Sequence, residues 1–263
     1  MAEVDSRLFG RRVLVIGASS GVGRAAADAL VNEGARVAYA ARRFDRLEEA
    51  ARAAGHEAFA VECDVCDEAS IQAAVATTVA ALEGLDALVY SPGIATFEPL
   101  AEIDANSWRR ILDTNLIGPS LALRASIAHL EESRGKAVII SSIVIDDRPP
   151  RAGNAPYVVS KTGLETLVQA WQGEHHRVGF TTIAMGDTLT EFAQDADLAQ
   201  MAQMGEIVRG WVEDGYMYGR TMDPESIAEQ IVSVLKSRET VRRVAITPHY
   251  SEDPNSGVDL WDK

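Results

Sequence analysis

Arg11-Arg12-Val13-Leu14-Val15-Ile16-Gly17-Ala18-Ser19-Ser20-Gly21-Val22-Gly23 is the stretch that decides the fold. Val13 to Ile16 is a short apolar, β-branched run, the composition of a strand buried on both faces of a parallel sheet. After the glycines comes Arg24-Ala25-Ala26-Ala27-Asp28-Ala29-Leu30-Val31-Asn32-Glu33-Gly34, an alanine-rich helical pattern that stops at glycine. A strand, a glycine turn and a helix form a cradle for a pyrophosphate. Glycine lets the backbone approach the phosphates, and the helix N-terminus offers free N–H groups and the positive end of its dipole. The spacing is Gly-x-x-x-Gly-x-Gly rather than Gly-x-Gly-x-x-Gly, and a glycine turn can also serve strand–helix packing alone. The flanking elements favour a dinucleotide site built on Gly17, Ser19, Ser20, Gly21, Val22 and Gly23.

The second strand sets the cofactor preference. Arg36-Val37-Ala38-Tyr39-Ala40-Ala41-Arg42-Arg43 ends without an acidic residue at the ribose position. An acid there would bind a ribose 2′-hydroxyl, whereas arginine accommodates a 2′-phosphate. Arg42 and Arg43 therefore favour NADP(H) over NAD(H). The plainer alternative is that both arginines simply begin the next helix and face water.

Working outward, strands are predicted near 12–16, 36–40, 58–61, 86–90, 136–141, 178–183 and 243–247. Helices are predicted near 22–33, 44–54, 68–82, 105–132, 156–173 and 223–236. This alternation predicts an α/β fold with a doubly wound, mostly parallel seven-stranded sheet and helices on both faces. Ligands of such sheets bind outside the carboxyl ends of the strands. Gly17, Arg42, Asp64, Gly93, Ser142 and Gly186 all follow predicted strands and should gather there.

Tyr157 and Lys161 lie four residues apart, with Ser141-Ser142 upstream. On a helix the phenol and the ammonium share a face. A phenol titrates near 10, and a nearby cation would lower that value and make it a usable acid or base. Alone, Tyr-x-x-x-Lys is a weak pattern that any helix can carry.

Together these segments resemble the short-chain dehydrogenase/reductase family in its single-domain Rossmann form, from about Arg11 to about Pro248. The resemblance implies that Gly17–Gly23 is the cofactor turn and that Asp64-Val65 contacts adenine. It implies that Asn115, in Thr114-Asn115-Leu116-Ile117-Gly118, joins Ser142, Tyr157 and Lys161 as a catalytic residue, with Tyr157 and Lys161 also holding the cofactor. Two segments depart from the family pattern. Tyr90-Ser91-Pro92-Gly93 stands where Asn-Asn-Ala-Gly is usual, leaving Ser91 and Gly93 as cofactor contacts. Met185-Gly186 stands where Pro-Gly is usual, with Gly186, Thr188 and Thr190 in register at the nicotinamide loop. The Ile143–Pro156 loop is longer than is usual in the family and rich in charge and proline; it should shape one wall of the substrate site.

Composition narrows the function further. The chain has 263 residues, 47% of them hydrophobic, enough for one large α/β domain with a substrate-covering insertion at about 188–221. A net charge of −14 argues against nucleic-acid binding. No basic-then-apolar leader and no apolar run near ~20 residues is present, so a soluble cytoplasmic protein is the default. Cys63 and Cys66 are the only cysteines, and no second pair or histidine set completes a zinc site, so no metal is expected.

Phe192, Leu198, Met201, Met204, Ile207, Val208, Trp211, Tyr216, Met217 and Tyr218 make the insertion apolar and adaptable, which suits a bulky, largely apolar substrate. Residues such as Leu121, Leu123, Ile127, Leu164, Leu167, Val168 and Trp171 exceed what one buried helix face needs, and the family resemblance implies a homo-oligomer, a dimer or tetramer. The leading expectation is NADP(H)-dependent hydride transfer to or from a small-molecule carbonyl or alcohol, with Asn115 holding a water that links Lys161 to solvent. A non-redox epimerase or dehydratase, or a cofactor-sensing binding protein, remains open on the same fold.

Overall fold

The structure is a computed structural model that describes residues 6–55, 57–188, 198–217 and 221–248. Alternating side chains along its strands divide the core into two layers. In β1 (Arg12–Ile16), Val13 and Val15 pack on one face of the sheet and Leu14 and Ile16 on the other, all fully buried. β2 (Arg36–Ala41), β4 (Ala87–Tyr90) and β5 (Lys136–Ser142) repeat the division. Each such Val, Leu or Ile contributes roughly 1.5–3 kcal/mol relative to exposure. With β3 (Ala58–Glu62), β6 (Gly179–Met185) and β7 (Arg243–Ile246), the sheet has order β3-β2-β1-β4-β5-β6-β7, and every pairing is parallel.

Helices cover both faces. One layer is closed by α1 (Gly21–Asn32), α2 (Phe44–Ala54) and α8 (Pro224–Lys236), through Ala26, Leu30, Leu47, Ile227 and Ile231. The other is closed by α3 (Glu68–Leu82), α5 (Gly118–Ser133) and α6 (Ala155–Glu174), through Ile71, Leu123, Leu130, Leu164 and Val168. The strand order reverses between β1 and β4, which places the switch point beside Gly17 and Ser91. Among the described residues, no helix is long and apolar enough to cross a membrane.

The predicted helix at 105–132 is interrupted. α4 (Ala105–Leu112) gives way to a π-helical segment, Asp113–Ile117, before α5 begins. The cause is local. Pro119 has no N–H for the Asn115 carbonyl one α-turn back. The Gly118 N–H donates to Asp113 O, which frees the Thr114 carbonyl, and Tyr90 Oη donates to it at 2.7 Å. A Cβ at Gly118 would stand 2.5 Å from Tyr90 Oη, so only glycine fits this approach. Between residues 188 and 221, the described residues form one helix, α7 (Leu198–Glu213). Thr190, Phe192 and Tyr218 lie outside the described residues.

Asp86 ties the start of β1 to the start of β4. Its carboxylate accepts from Arg12 N and Nε at 2.9 Å and from Nη2 at 2.8 Å. Burial pushes this carboxyl up, but the hydrogen bonds and charge of Arg12, with Arg11 behind it, hold it below the usual value. A depressed carboxyl contributes stability that is present above the unfolded value of about 3.9 and is lost as pH falls through the folded value. Asp86→Asn should cost roughly 1–3 kcal/mol at pH 7. Urea midpoints of the two proteins should converge as pH is lowered below about 4; a gap independent of pH would contradict this.

Candidate active site

Because all strands run the same way, the loops after β1, β4, β5 and β6 open on one edge. Main-chain bonds draw them together: Gly17 N to Ala40 O at 2.7 Å, Ser91 N to Ile16 O at 3.0 Å, and Gly186 N to Ile246 O at 2.7 Å. The glycine turn is backbone-tight. Gly17 has φ +88° and Gly21 φ +53°, and a Cβ on Gly23 would fall 2.2 Å from Gly17 O. Ser20 is the N-cap of α1 in extended conformation, and its side chain makes no capping bond to the helix. Instead Ser19 Oγ and Ser20 Oγ accept from Arg43 Nη2 at 3.0 and 2.8 Å. The first turn of α1 is thus open to an anion, with a guanidinium beside it. Both arginines are exposed, and it is Arg43 that reaches the turn.

After β3, Asp64 Oδ1 accepts from Cys66 N at 2.9 Å, and Asp64 N donates to Ser70 Oγ at 2.9 Å. Val65 beside it is buried. Cys63 is buried and Cys66 exposed, and both are free thiols. Burial pushes Cys63 up to about 12. Among the described residues, no group of three or more His, Cys, Asp or Glu could hold a metal.

The Tyr90–Gly93 segment also braces the elements around it. Tyr90 is turned inward and supports the π-helical segment. Pro92 packs on Gly17, where a Cβ would meet Pro92 Cδ at 3.0 Å. Gly93 lies over the lysine, since its Cβ would stand 3.4 Å from Lys161 Nζ and 3.7 Å from Asn115 Oδ1.

Asn115 is fully buried and uses its whole amide. Oδ1 accepts from Ile94 N at 2.9 Å, and Nδ2 donates to Ile94 O at 2.8 Å and Ser160 Oγ at 3.0 Å. Ser160 Oγ in turn donates to Tyr157 O at 2.7 Å. Lys161 Nζ donates to Ile140 O at 2.8 Å and stands 5.7 Å from the Tyr157 ring centroid. Ser142 Oγ hydrogen-bonds the Tyr157 phenol and accepts from Val144 N at 3.4 Å. Ser141, adjacent on the strand, faces the other way, and its buried hydroxyl makes no hydrogen bond within the described residues. Thr188 Oγ1 donates to Gly186 O at 2.8 Å.

The charges differ from the expected lowering of the tyrosine. Burial pushes Tyr157 up to about 12; the Ser142 hydrogen bond and Arg151 oppose this, and Asp187 adds to it. Burial also pushes Lys161 down to about 8, against the pull of Glu165. With both groups out of water, each shifts toward its neutral form, and the Lys161 ammonium donates to a backbone carbonyl. In the nucleotide-free protein, a wild-type minus Tyr157→Phe ultraviolet titration should therefore show no phenolate step at the ordinary value near 10. A step at or below that pH would contradict the burial.

Two charged groups near Tyr157, Arg151 and Asp187, were not singled out in the sequence. Arg151 is 1% exposed and pairs with Asp147 at 2.7 Å and Asp187 at 2.9 Å. Its guanidinium carbon lies 5.4 Å from the Trp211 ring centroid. The charged string Asp146-Asp147-Arg148-Pro149-Pro150-Arg151 carries no signal that separates this arginine from the exposed Arg148.

A family model described as short chain dehydrogenase matches residues 11–200. Cis-4-hydroxycyclohexanecarboxylate dehydrogenase of Sinomonas cyclohexanicum is 32% identical over 229 residues, covering 85% of this chain and 88% of that protein. Glycine betaine reductase ATRR of Emericella nidulans is 31% identical over 253 residues, 94% of this chain, which spans only 19% of that protein. Among solved structures, an alcohol dehydrogenase from the archaeon Thermococcus sibiricus complexed with 5-hydroxy-NADP aligns with TM-score 0.76 at 25% identity, over 91% of this chain and 99% of that one. The family match covers the cradle, the π-helical segment and the tyrosine helix in one continuous span, and the chain belongs to the short-chain dehydrogenases, oxidoreductases of alcohol and carbonyl groups.

Proposed function

We propose that this chain is an NADP(H)-dependent oxidoreductase that interconverts a carbonyl and a secondary alcohol on a bulky, largely apolar substrate, with Tyr157 as general acid and base. The observation that carries this reading is the buried Tyr157 phenol bonded to Ser142, one helical turn before the buried Lys161. The glycine cradle under an uncapped helix N-terminus fits a dinucleotide. Gly17, Ser19, Ser20, Gly21, Val22 and Gly23 would hold its phosphates. Arg43, with Arg42, would hold a 2′-phosphate, and Asp64 and Val65 the adenine. Ser91, Gly93, Tyr157 and Lys161 would hold the riboses, and Gly186, Thr188 and Thr190 the nicotinamide end.

When bound, the nicotinamide supplies or accepts the hydride. Tyr157 keeps its proton at neutral pH and gives it to the carbonyl oxygen, or takes it back in the oxidative direction. Ser142 orients that oxygen by hydrogen bond. Lys161 carries the exchangeable proton behind the tyrosine, and the Asn115 carbonyl, left without an α-helical donor by Pro119, is where a water can join Lys161 to solvent. Ala95, Val144 and Val158 pack around Tyr157 and, with the buried Trp211 and Met217, suit an apolar substrate body. The exposed Ile117, at the end of the π-helical segment, and Val159, in α6, favour a homo-oligomer, a dimer or tetramer.

Tyr157→Phe should reduce kcat for ketone reduction by about 10²–10⁴-fold while NADPH still raises the melting temperature. Full activity in that variant would sink the mechanism. Arg43→Ala should weaken NADPH about 10–100-fold and leave NADH nearly unchanged, with a smaller effect from Arg42→Ala. Equal stabilisation of the wild type by NADPH and NADH would exclude the 2′-phosphate reading.

A further inference from the structure

The Thr114 carbonyl lacks an N–H donor in either helical register. In an α-helix the Gly118 N–H would donate to it, but that N–H donates to Asp113 O. In the π register the donor would be residue 119, and Pro119 has no N–H. The donor is instead a side chain from the sheet, Tyr90 Oη at 2.7 Å. Tyr90 and Thr114 are both buried, where a carbonyl left without a donor is costly. Tyr90 stands where asparagine is usual in the family. Its ring packs in the core layer of Leu88 and Ile139, and its hydroxyl reaches out of that layer to the π-helical segment.

What the turn holds is Asn115. Its amide is bonded to Ile94 N, Ile94 O and Ser160 Oγ, and Ser160 Oγ donates to Tyr157 O. Gly93 lies over both Asn115 Oδ1 and Lys161 Nζ, so the amide sits beside the lysine. Without the Tyr90 hydroxyl, the main-chain donor able to satisfy Thr114 O is the Gly118 N–H. Taking it back removes the extra residue from the turn and rotates Asn115 about the helix axis, away from Ile94 and Ser160. The cofactor cradle does not use this hydroxyl. Ser91 N bonds Ile16 O through the main chain, and Pro92 packs on Gly17 through its ring.

We infer that Tyr90 is a positioning residue for proton transfer: its hydroxyl stands in for the N–H that Pro119 lacks, fixes the π register, and thereby sets Asn115 beside Lys161 and Tyr157. Tyr90 touches neither substrate nor cofactor in this role and acts through Asn115. The inference rests on the oxidoreductase reading, and the test separates the two.

Wild type, Tyr90→Phe, Pro119→Ala and the double variant are compared with NADPH and whichever of cyclohexanone, acetophenone and 2-octanone the wild type reduces fastest. Melting temperature, NADPH Kd and the single-turnover rate of NADPH oxidation are measured for each. Tyr90→Phe should melt lower, bind NADPH within about twofold of the wild type, and turn over about 10–100-fold more slowly. Pro119→Ala alone should stay within about threefold in rate, because Tyr90 still fixes the register and the new N–H faces Thr114 O. In the double variant the residue 118 and 119 N–H groups can satisfy Thr114 O and Asn115 O as a regular α-helix. Its melting temperature should therefore recover while its rate stays low.

A rate that recovers together with the melting temperature would reduce Tyr90 to a stability role and overturn the inference. So would a Tyr90→Phe rate within twofold of the wild type, an equal loss of NADPH affinity, or a slow Pro119→Ala, which would place the hold in the proline. If Tyr90→Phe does not fold, the double variant decides alone: slow turnover with NADPH bound supports the inference, and a wild-type rate or failure to bind NADPH overturns it. A wild type that binds NADPH and reduces none of the ketones defeats the oxidoreductase reading and this inference with it, whereas an active wild type with an unaffected Tyr90→Phe defeats this inference alone.

Discussion

Every functional feature of this chain depends on strands that run in one direction. A parallel sheet cannot return by tight hairpins, so each strand is followed by a crossover helix, and all strand ends with their loops collect on one edge. Both faces must then be covered, which accounts for the apolar runs Val13–Ile16, Ala87–Tyr90 and Ala137–Ile140 and for the two core layers they separate. The site is a consequence of that arrangement: Gly17, Ser91, Ser142 and Gly186 are far apart in sequence and become neighbours because each ends a strand of the same sheet.

Burial then determines the chemistry of the groups at that edge. Tyr157 and Lys161 both lose water, and each moves toward its neutral form, the phenol upward and the ammonium downward. The same loss of water makes Arg151 dependent on its carboxylates, because an unpaired guanidinium in that position would be costly. Asn115 is held by a different device. A proline one α-turn ahead and a tyrosine hydroxyl from β4 convert a regular helix into a π-helical turn, and the amide is then locked on the Ile94 backbone.

Much of this was legible in the chain. Apolar runs and their spacing located the strands to within a residue or two, because burial on both faces of a sheet leaves few acceptable residue types. The glycine turn was legible because Gly23 touches Gly17 so closely that no side chain could intervene. Other choices had no local signature. Arg42 and Arg43 are adjacent and alike, and which one reaches Ser19 and Ser20 depends on how α2 leaves the strand. Ser141 and Ser142 are equally adjacent, and the pleat alone turns one toward Tyr157.

The sequence by itself determined the strand–helix order, the phosphate-type turn and the family to which Tyr157 and Lys161 belong, since these follow from periodicity, from glycine and from spacing within single elements. The tertiary structure alone decided the break in the helix before Asn115, the upward shift of the tyrosine, and the burial of Arg151 between Asp147 and Asp187. Those three depend on contacts between residues 24 to 36 positions apart or on removal from water by several segments at once. A guanidinium in a charged, proline-rich loop reads as a surface group until Trp211 and Asp187 close over it, and burial then changes its role from solvation to assembly.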